Sequence, residues 1–211
     1  MFLVASLLCL AVETLGQGIP MKLVENRFKY HKLVPNVIFY APKYYMKVSF
    51  NGHKVHLGTE LKPDDCKEPP QVNWNWKPGG FYTLAMTDPD YPVTPDTEDP
   101  KKGKPPPTVT EYRHWLVVNI MKDDPATGET LTPYEPPAPQ NGTYIHRYMI
   151  LVYKQSGRLG FKGEKEKGKG WSRGKWVMRK FAKKHDMKNP TFGNYFLAQH
   201  HPIPPKPDYE W

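Results

Sequence analysis

Alternation of apolar and polar residues is the clearest pattern in the first third of this chain, and it predicts paired β-strands. Between residues 46 and 57, apolar side chains recur at every second position on both sides of Asn51-Gly52. Asn-Gly readily adopts the positive φ angles of a type I′ turn, which joins two antiparallel strands. The pattern therefore predicts a β-hairpin that turns at these two residues.

Three later segments are apolar on both faces, as strands inside a packed sheet are. They cover residues 81–87, 114–120 and 146–153. A short strand is also predicted at 71–74, and a late one at 191–198. These segments are expected to form the core of a sheet.

Helical spacing of apolar residues is confined to two places. A short helix is expected within 22–32, and apolar side chains at 177, 178, 181 and 182 predict an amphipathic helix at about 175–184. Many strands and few helices indicate a mainly β fold, a sandwich with a few peripheral helices. No repeat or interdomain linker is recognisable, so we expect one domain.

The two ends and the loops refine this picture. Residues 2–12 form an apolar run without an acidic residue, which predicts a signal peptide at 1–16, a single domain at 17–211 and secretion. An uncleaved anchor or a buried strand is the alternative. The 24 prolines cluster between the predicted strands and indicate long, stiff loops.

Candidate chemistry begins where the first of the apolar segments ends. Asp88-Pro89-Asp90 is followed by Tyr91 and Pro92, and this pair of prolines prevents the strand from continuing, so the two acids lie at a bend. His114 and His146 each open another predicted strand. The three strand ends could meet at one rim and form a pocket.

Three blocks of sequence, at residues 87–92, 111–119 and 142–148, resemble in order and type the signature blocks of the phosphatidylethanolamine-binding protein family. The similarity extends over about residues 33–204. It implies a large antiparallel β-sandwich with an anion-accepting pocket at one edge. Two departures concern the pocket: Ala138 stands where the family usually has a glycine, and the connection between Asp90 and Glu111 is longer than typical.

The resemblance also implies the residues of a ligand-binding site. They are Asp88, Asp90, His114, Trp115, Pro139, His146 and Tyr148. Imidazole and phenol groups can donate hydrogen bonds to a phosphate, while carboxylates can accept them from an amine. This combination suits the head group of phosphatidylethanolamine, and binding of the anion is expected to weaken as pH rises through about 6 to 7.

A binding role is favoured over catalysis. His114 and His146 could serve a weak hydrolase, but no motif that would supply a nucleophile accompanies them. The spacing of His and Asp also matches no standard metal site, so neither a metal nor a cofactor is expected. We therefore expect a non-enzymatic, monomeric binding protein that modulates a protein partner in kinase or protease signalling.

Most of the formal charge of +9 lies in one segment, because residues 162–184 hold ten Lys or Arg against two Glu. This segment is either solvated or a surface for an anionic membrane, a glycosaminoglycan or an acidic protein, as in an extracellular scaffold. Nucleic acid is a less favoured partner for a secreted chain. The predicted basic surface comprises Lys165, Lys167, Lys169, Arg173, Lys175, Arg179, Lys180, Lys183 and Lys184.

Two single residues complete the predictions. Asn141 begins the sequon Asn141-Gly142-Thr143 and is a candidate glycosylation site. Cys66 is the one cysteine outside the predicted signal peptide, so it either links two chains or is a buried, inert thiol.

Overall fold

The computed structural model describes residues 19–91, 111–141, 143, 145–164, 173–174 and 176–200. The predicted signal peptide and the connection at 93–110 lie outside these residues. The helices are α1 (Met21–Tyr30) and α2 (Met178–Lys184), with short 3-10 turns at Pro63–Cys66 and Pro125–Thr127. The strands are β1 (Tyr44–Tyr45), β2 (Lys47–Phe50), β3 (His53–Lys54), β4 (Thr59–Glu60), β5 (Gln71–Asn73), β6 (Phe81–Asp88), β7 (Tyr112–Met121), β8 (Glu129–Thr132), β9 (His146–Lys154) and β10 (Phe192–Ala198).

Two sheets form the architecture. The larger has seven strands in the order β1-β10-β9-β6-β7-β8, with β4 also paired to β10. Its pairs are antiparallel except those of β10 with β1 and β4. The smaller sheet has the order β3-β2-β5 and is antiparallel. The predicted mainly β sandwich with peripheral helices is confirmed.

The predicted hairpin is formed by β2 and β3. Asn51 and Gly52 have φ angles of 44° and 82°, as a turn with two positive φ angles requires. In the larger sheet, β9, β6 and β7 are the three segments that were predicted from their apolar faces, and they occupy its centre. Strand β8 was not predicted, because the sequence ETLT has one apolar residue and no readable alternation.

The larger sheet is covered on both faces, which explains why its strands are apolar on both sides. On one face α1 and α2 bury Phe28 and Phe181 in a cluster with Leu151. On the other face the smaller sheet packs, and Phe50 meets Phe196 with ring centroids 5.0 Å apart. Helix α1 therefore contributes to the hydrophobic core.

The predicted basic surface is only partly a surface. Arg173 is buried, with 4% of its area exposed, so its prediction as a surface residue was wrong: its guanidinium binds backbone carbonyls inside the fold. Arg179 is half-buried, and Lys180, Lys183 and Lys184 are exposed. Lys165, Lys167, Lys169 and Lys175 lie outside the described residues.

Two further findings bear on earlier expectations. Cys66 is buried, and burial raises the pKa of its thiol to about 12, which fits the inert alternative. No helix within the described ranges is both long enough and apolar enough to span a bilayer.

Candidate functional site

The site lies where β6 ends and its two neighbours begin. Strand β6 lies between β9 and β7 and is antiparallel to both, so its last residue, Asp88, lies beside the first residues of the two other strands. Asp88 is paired in register with Tyr112 of β7, and His146 opens β9. The sheet therefore brings the carboxylate and the histidines to one edge.

Asp88 and His146 form a buried ion pair. His146 Nδ1 lies 2.7 Å from Asp88 Oδ2, and both side chains are 3% exposed. The second oxygen, Oδ1, accepts a hydrogen bond from the backbone N–H of Asp90 at 2.8 Å. This turn explains why the Asp-Pro-Asp bend holds Asp88 in place.

The hydrogen bonds of His146 indicate that both ring nitrogens carry a proton, so that the ring is an imidazolium. Nε2 lies 3.0 Å from the hydroxyl of Thr143, and that hydroxyl donates to the carbonyl of Gln140 at 2.7 Å. The hydroxyl thus accepts from Nε2, while Nδ1 donates to Asp88. Burial disfavours the charged ring, but the hydrogen bond and negative charge of Asp88 outweigh it and raise the pKa of His146.

The surroundings of His114 favour the neutral ring, in contrast to those of His146. In the pairing of β6 with β7, Met86 faces Trp115 and Thr87 faces Arg113, so His114 is the extra residue of a β-bulge. Its Nδ1 lies 2.8 Å from the backbone carbonyl of Glu135 and so donates to it. Burial lowers the pKa of His114, and the nearby charge of Asp88 offsets only part of this. The neutral ring therefore presents Nε2 as an acceptor.

Tyr148 joins the two histidines. Its ring stacks on His146 with centroids 6.3 Å apart and meets His114 edge-on at 5.2 Å. Burial and the negative charges of Asp88 and Asp90 raise the pKa of Tyr148, so the hydroxyl keeps its proton. Beneath them, Phe196 stacks on Tyr148 at 5.0 Å and fixes its plane.

Asp90 does not join this cluster, because it is held by a residue that the sequence reasoning did not single out. Arg147 donates from Nε to Oδ2 at 2.8 Å and from Nη2 to Oδ1 at 2.6 Å, and its backbone N–H also reaches Oδ2 at 2.8 Å. Arg147 Nη1 extends to the carbonyl of His31 at 2.7 Å. The sequence does contain a pattern that could have revealed the Asp90–Arg147 pair. The two acids Asp88 and Asp90 lie opposite two consecutive basic residues, His146 and Arg147.

The other predicted site residues lie around the cluster. Trp115 is buried and packs edge-on against Tyr134 at 5.9 Å. Pro139 is buried in the segment after β8, whereas the preceding Ala138 is exposed. Asn141 is exposed, as glycosylation requires, and its modification stays a prediction.

A second set of residues supports His114 from behind. Arg173 Nη1 donates to the carbonyls of His114 and Pro133 at 3.1 and 2.9 Å, and its Nε lies 2.9 Å from a carboxylate oxygen of Glu135. Tyr112 also donates to the Glu135 carboxylate at 3.0 Å. None of these residues has a recognisable motif, since their partners lie 20 to 60 residues away in the sequence.

Metal ligation is not indicated in the part of the chain that the structure describes. No group of three or more His, Cys, Asp or Glu side chains there is arranged to hold a metal ion. What the cluster can do is bind a polar ligand: a buried imidazolium and a phenol supply donors, and a neutral imidazole and a carboxylate supply acceptors.

Comparisons with known proteins agree with this architecture. The family model described as phosphatidylethanolamine-binding protein matches residues 51–196. A Drosophila melanogaster protein named odorant-binding protein A5 is 30% identical over 178 residues, which cover 83% of this chain and 80% of the relative. The 26 kDa secreted antigen of Toxocara canis is 34% identical over 124 residues, 58% of this chain and 44% of the antigen.

A solved structure extends the comparison to the fold. Carboxypeptidase Y inhibitor, in a crystal structure with its cognate proteinase, superposes with a TM-score of 0.67. The match covers 85% of this chain and 96% of the inhibitor at 23% identity. At that identity the likeness concerns the fold alone.

Proposed function

The chain belongs to the phosphatidylethanolamine-binding protein family, and on that premise we propose that it is a secreted, non-enzymatic binding protein for a small phosphorylated ligand. The ligand contacts Asp88, His114, His146 and Tyr148, and the head group of phosphatidylethanolamine has the matching chemistry. The observation that carries this proposal is the buried Asp88–His146 pair beside the neutral His114.

The two histidines contact different parts of a zwitterionic ligand. The His146 imidazolium and the Tyr148 hydroxyl favour the phosphate, because both carry protons in a site where little water competes. His114 Nε2 accepts a hydrogen bond from the ammonium or from a ligand hydroxyl. Asp90 and Trp115, with Pro139, shape the surroundings, since the Asp90 carboxylate is already bound by Arg147.

Access to the site requires movement at its rim. Asp88, His146 and Tyr148 are at most 2% exposed, and His114 is 5% exposed. A ligand must therefore take over hydrogen bonds that the protein now makes within itself, such as that between His146 and Thr143. This exchange predicts modest affinity for the isolated head group, because each bond gained replaces one that is lost.

Calorimetric titration with glycerophosphoethanolamine tests the proposal, since its phosphodiester does not titrate near neutral pH. Affinity is expected to fall as pH rises through the raised pKa of His146, above its ordinary 6.5. His146→Ala and Asp88→Asn are each expected to weaken binding about tenfold or more. Lys22→Gln, which changes an exposed residue of α1, is the control. Binding that is unchanged in both site variants would exclude this site.

Secretion and a non-enzymatic role are parts of the same proposal. The apolar run at 2–12 and the relative named as a secreted antigen support export, and the relative named as odorant-binding supports binding rather than hydrolysis. Turnover of ester or phosphate substrates that His146→Ala abolishes would favour the hydrolase instead. Modulation of a protease or kinase partner stays a prediction from the resemblance.

A further inference from the structure

A second cavity lies far from the proposed site, on the helical face of the larger sheet. Its volume is about 310 Å³, and Tyr153 of β9 forms part of its wall. Tyr153 is seven residues from His146 along β9, which corresponds to about 24 Å. Tyr153 also faces the helices, whereas Tyr148 faces the smaller sheet. The two sites are therefore independent.

The wall of this cavity is largely apolar and carries two exposed aromatic rings. Ile38, Tyr153 and Met187 are buried and form apolar wall, while the neighbouring Phe39 and Tyr40 are 62% and 61% exposed. Adjacent aromatic side chains that stay open to water beside a cavity are typical of a binding surface. The volume lies at the lower end of that of small-molecule sites, which span about 300 to 1,000 Å³.

Positive charge surrounds the apolar wall. Arg179, Lys183 and Lys188 line the cavity, against one carboxylate, Asp186. The Arg179 guanidinium lies 5.0 Å from the centre of the Phe39 ring. None of the three basic side chains forms an ion pair with another described residue. Their charges are available to a ligand.

We propose that this cavity binds a small amphiphile with an anionic head group, such as a medium-chain carboxylate. The carboxylate contacts the basic side chains of α2 and the following turn, and the alkyl chain lies on Ile38, Phe39 and Tyr40. A neutral or cationic amphiphile lacks the carboxylate that contacts the basic side chains, and a short anion such as acetate lacks the alkyl chain that contacts the apolar wall. Selectivity for both properties in one molecule distinguishes this site from a basic surface.

The test is calorimetric titration with decanoate below the concentration at which it forms micelles. The expected result is saturable binding of one decanoate per chain, with decyltrimethylammonium and acetate at least about tenfold weaker. Lys183→Gln combined with Lys188→Gln is expected to weaken decanoate binding about tenfold, the effect of losing one charge-assisted hydrogen bond. Both lysines are exposed, so the fold tolerates the change.

Matched variants make the outcome decisive. Lys180→Gln removes an exposed charge from the same helix outside the cavity and is expected to leave decanoate binding unchanged, as is His146→Ala. Phe39→Ala is expected to weaken decanoate and not acetate. The proposal is overturned by an absence of saturable binding, by equal effects of Lys180→Gln and the double variant, or by loss of binding in His146→Ala. Attachment to anionic vesicles without binding of free decanoate would instead indicate a membrane surface.

Discussion

Glu111 is a buried acid that links the proposed site to α2, and replacing it by glutamine tests the electrostatics of this region. Its side chain is fully buried, and one carboxylate oxygen accepts the N–H of Met178 at 2.8 Å, where α2 begins. Burial raises the pKa of Glu111 from 4.5 to about 7; the Thr87 hydroxyl, the Met178 N–H and the charge of Arg179 offset part of this effect, and Asp88 adds to it.

This shift makes Glu111 destabilising at neutral and alkaline pH. Below pH 4.5 the carboxyl is protonated in both the folded and the unfolded chain, so it costs nothing. Above about pH 7 it is ionised in both, and the folded chain bears the cost of burying the charge. Because one pKa unit corresponds to about 1.4 kcal/mol, this cost is about 3 kcal/mol and develops between those two pH values.

Glu111→Gln should remove this pH dependence, because the amide is neutral at every pH and its oxygen can still accept from Met178. Urea unfolding of both proteins between pH 5 and 8.5, in buffers without phosphate, gives the difference in unfolding free energy. The variant is expected to be about 1 kcal/mol more stable than the parent at pH 5, where part of the cost has developed, and about 3 kcal/mol more stable at pH 8. His146 and His114 titrate in both proteins, so their contributions cancel.

A difference in stability that does not change with pH would refute this reasoning. It would mean that Glu111 keeps an ordinary pKa and that water or a rearranged partner solvates its charge. A variant that is less stable at every pH would show instead that the amide fits this buried position less well than the carboxyl does in either protonation state.

Two further predictions concern the residues that hold the site in place. Arg147→Ala is expected to lower the free energy of unfolding by about 2 kcal/mol, because it removes charge-assisted bonds from the partly buried Asp90; a loss below about 0.5 kcal/mol in urea unfolding would contradict this. Arg173→Lys keeps the charge but not the planar guanidinium that pairs with Glu135 and donates to the β7 carbonyls, so the His114 pKa measured by NMR is expected to change while that of His146 does not.

Much of the fold is predictable because its local signals agree with its tertiary contacts. The turn at Asn51-Gly52 and the doubly apolar strands β6, β7 and β9 have patterns that tertiary packing reinforces. Strand β8 was not predicted because it has no readable alternation, and the two-residue strands β1 and β4 were not predicted because they exist only through pairing with the distant β10. A segment of two to four residues carries too little periodicity to be recognised.

The candidate site is predictable in its members but not in their roles. Asp88 and Asp90 are two residues apart and look equivalent in the sequence, yet one binds His146 and the other binds Arg147. The difference arises because β9 presents His146 and Arg147 on opposite sides, and each meets a different acid. Nothing local to Asp-Pro-Asp distinguishes the two.

The two histidines also differ in their tertiary partners, and this difference changes the expected pH dependence of ligand binding. Anion binding was expected to weaken through one pH range of about 6 to 7. Only His146 hydrogen-bonds Asp88 directly, however, whereas His114 donates to a carbonyl in a buried bulge, where desolvation prevails. The site therefore combines one charged and one neutral imidazole near neutral pH. Ligand affinity should fall as pH rises through the raised pKa of His146, and it should also fall at acidic pH, where protonation of His114 removes the acceptor for the ligand's ammonium or hydroxyl. A single transition, with no loss of affinity on the acidic side, would mean that His114 does not act as an acceptor, contrary to the hydrogen bond that its Nδ1 donates to Glu135.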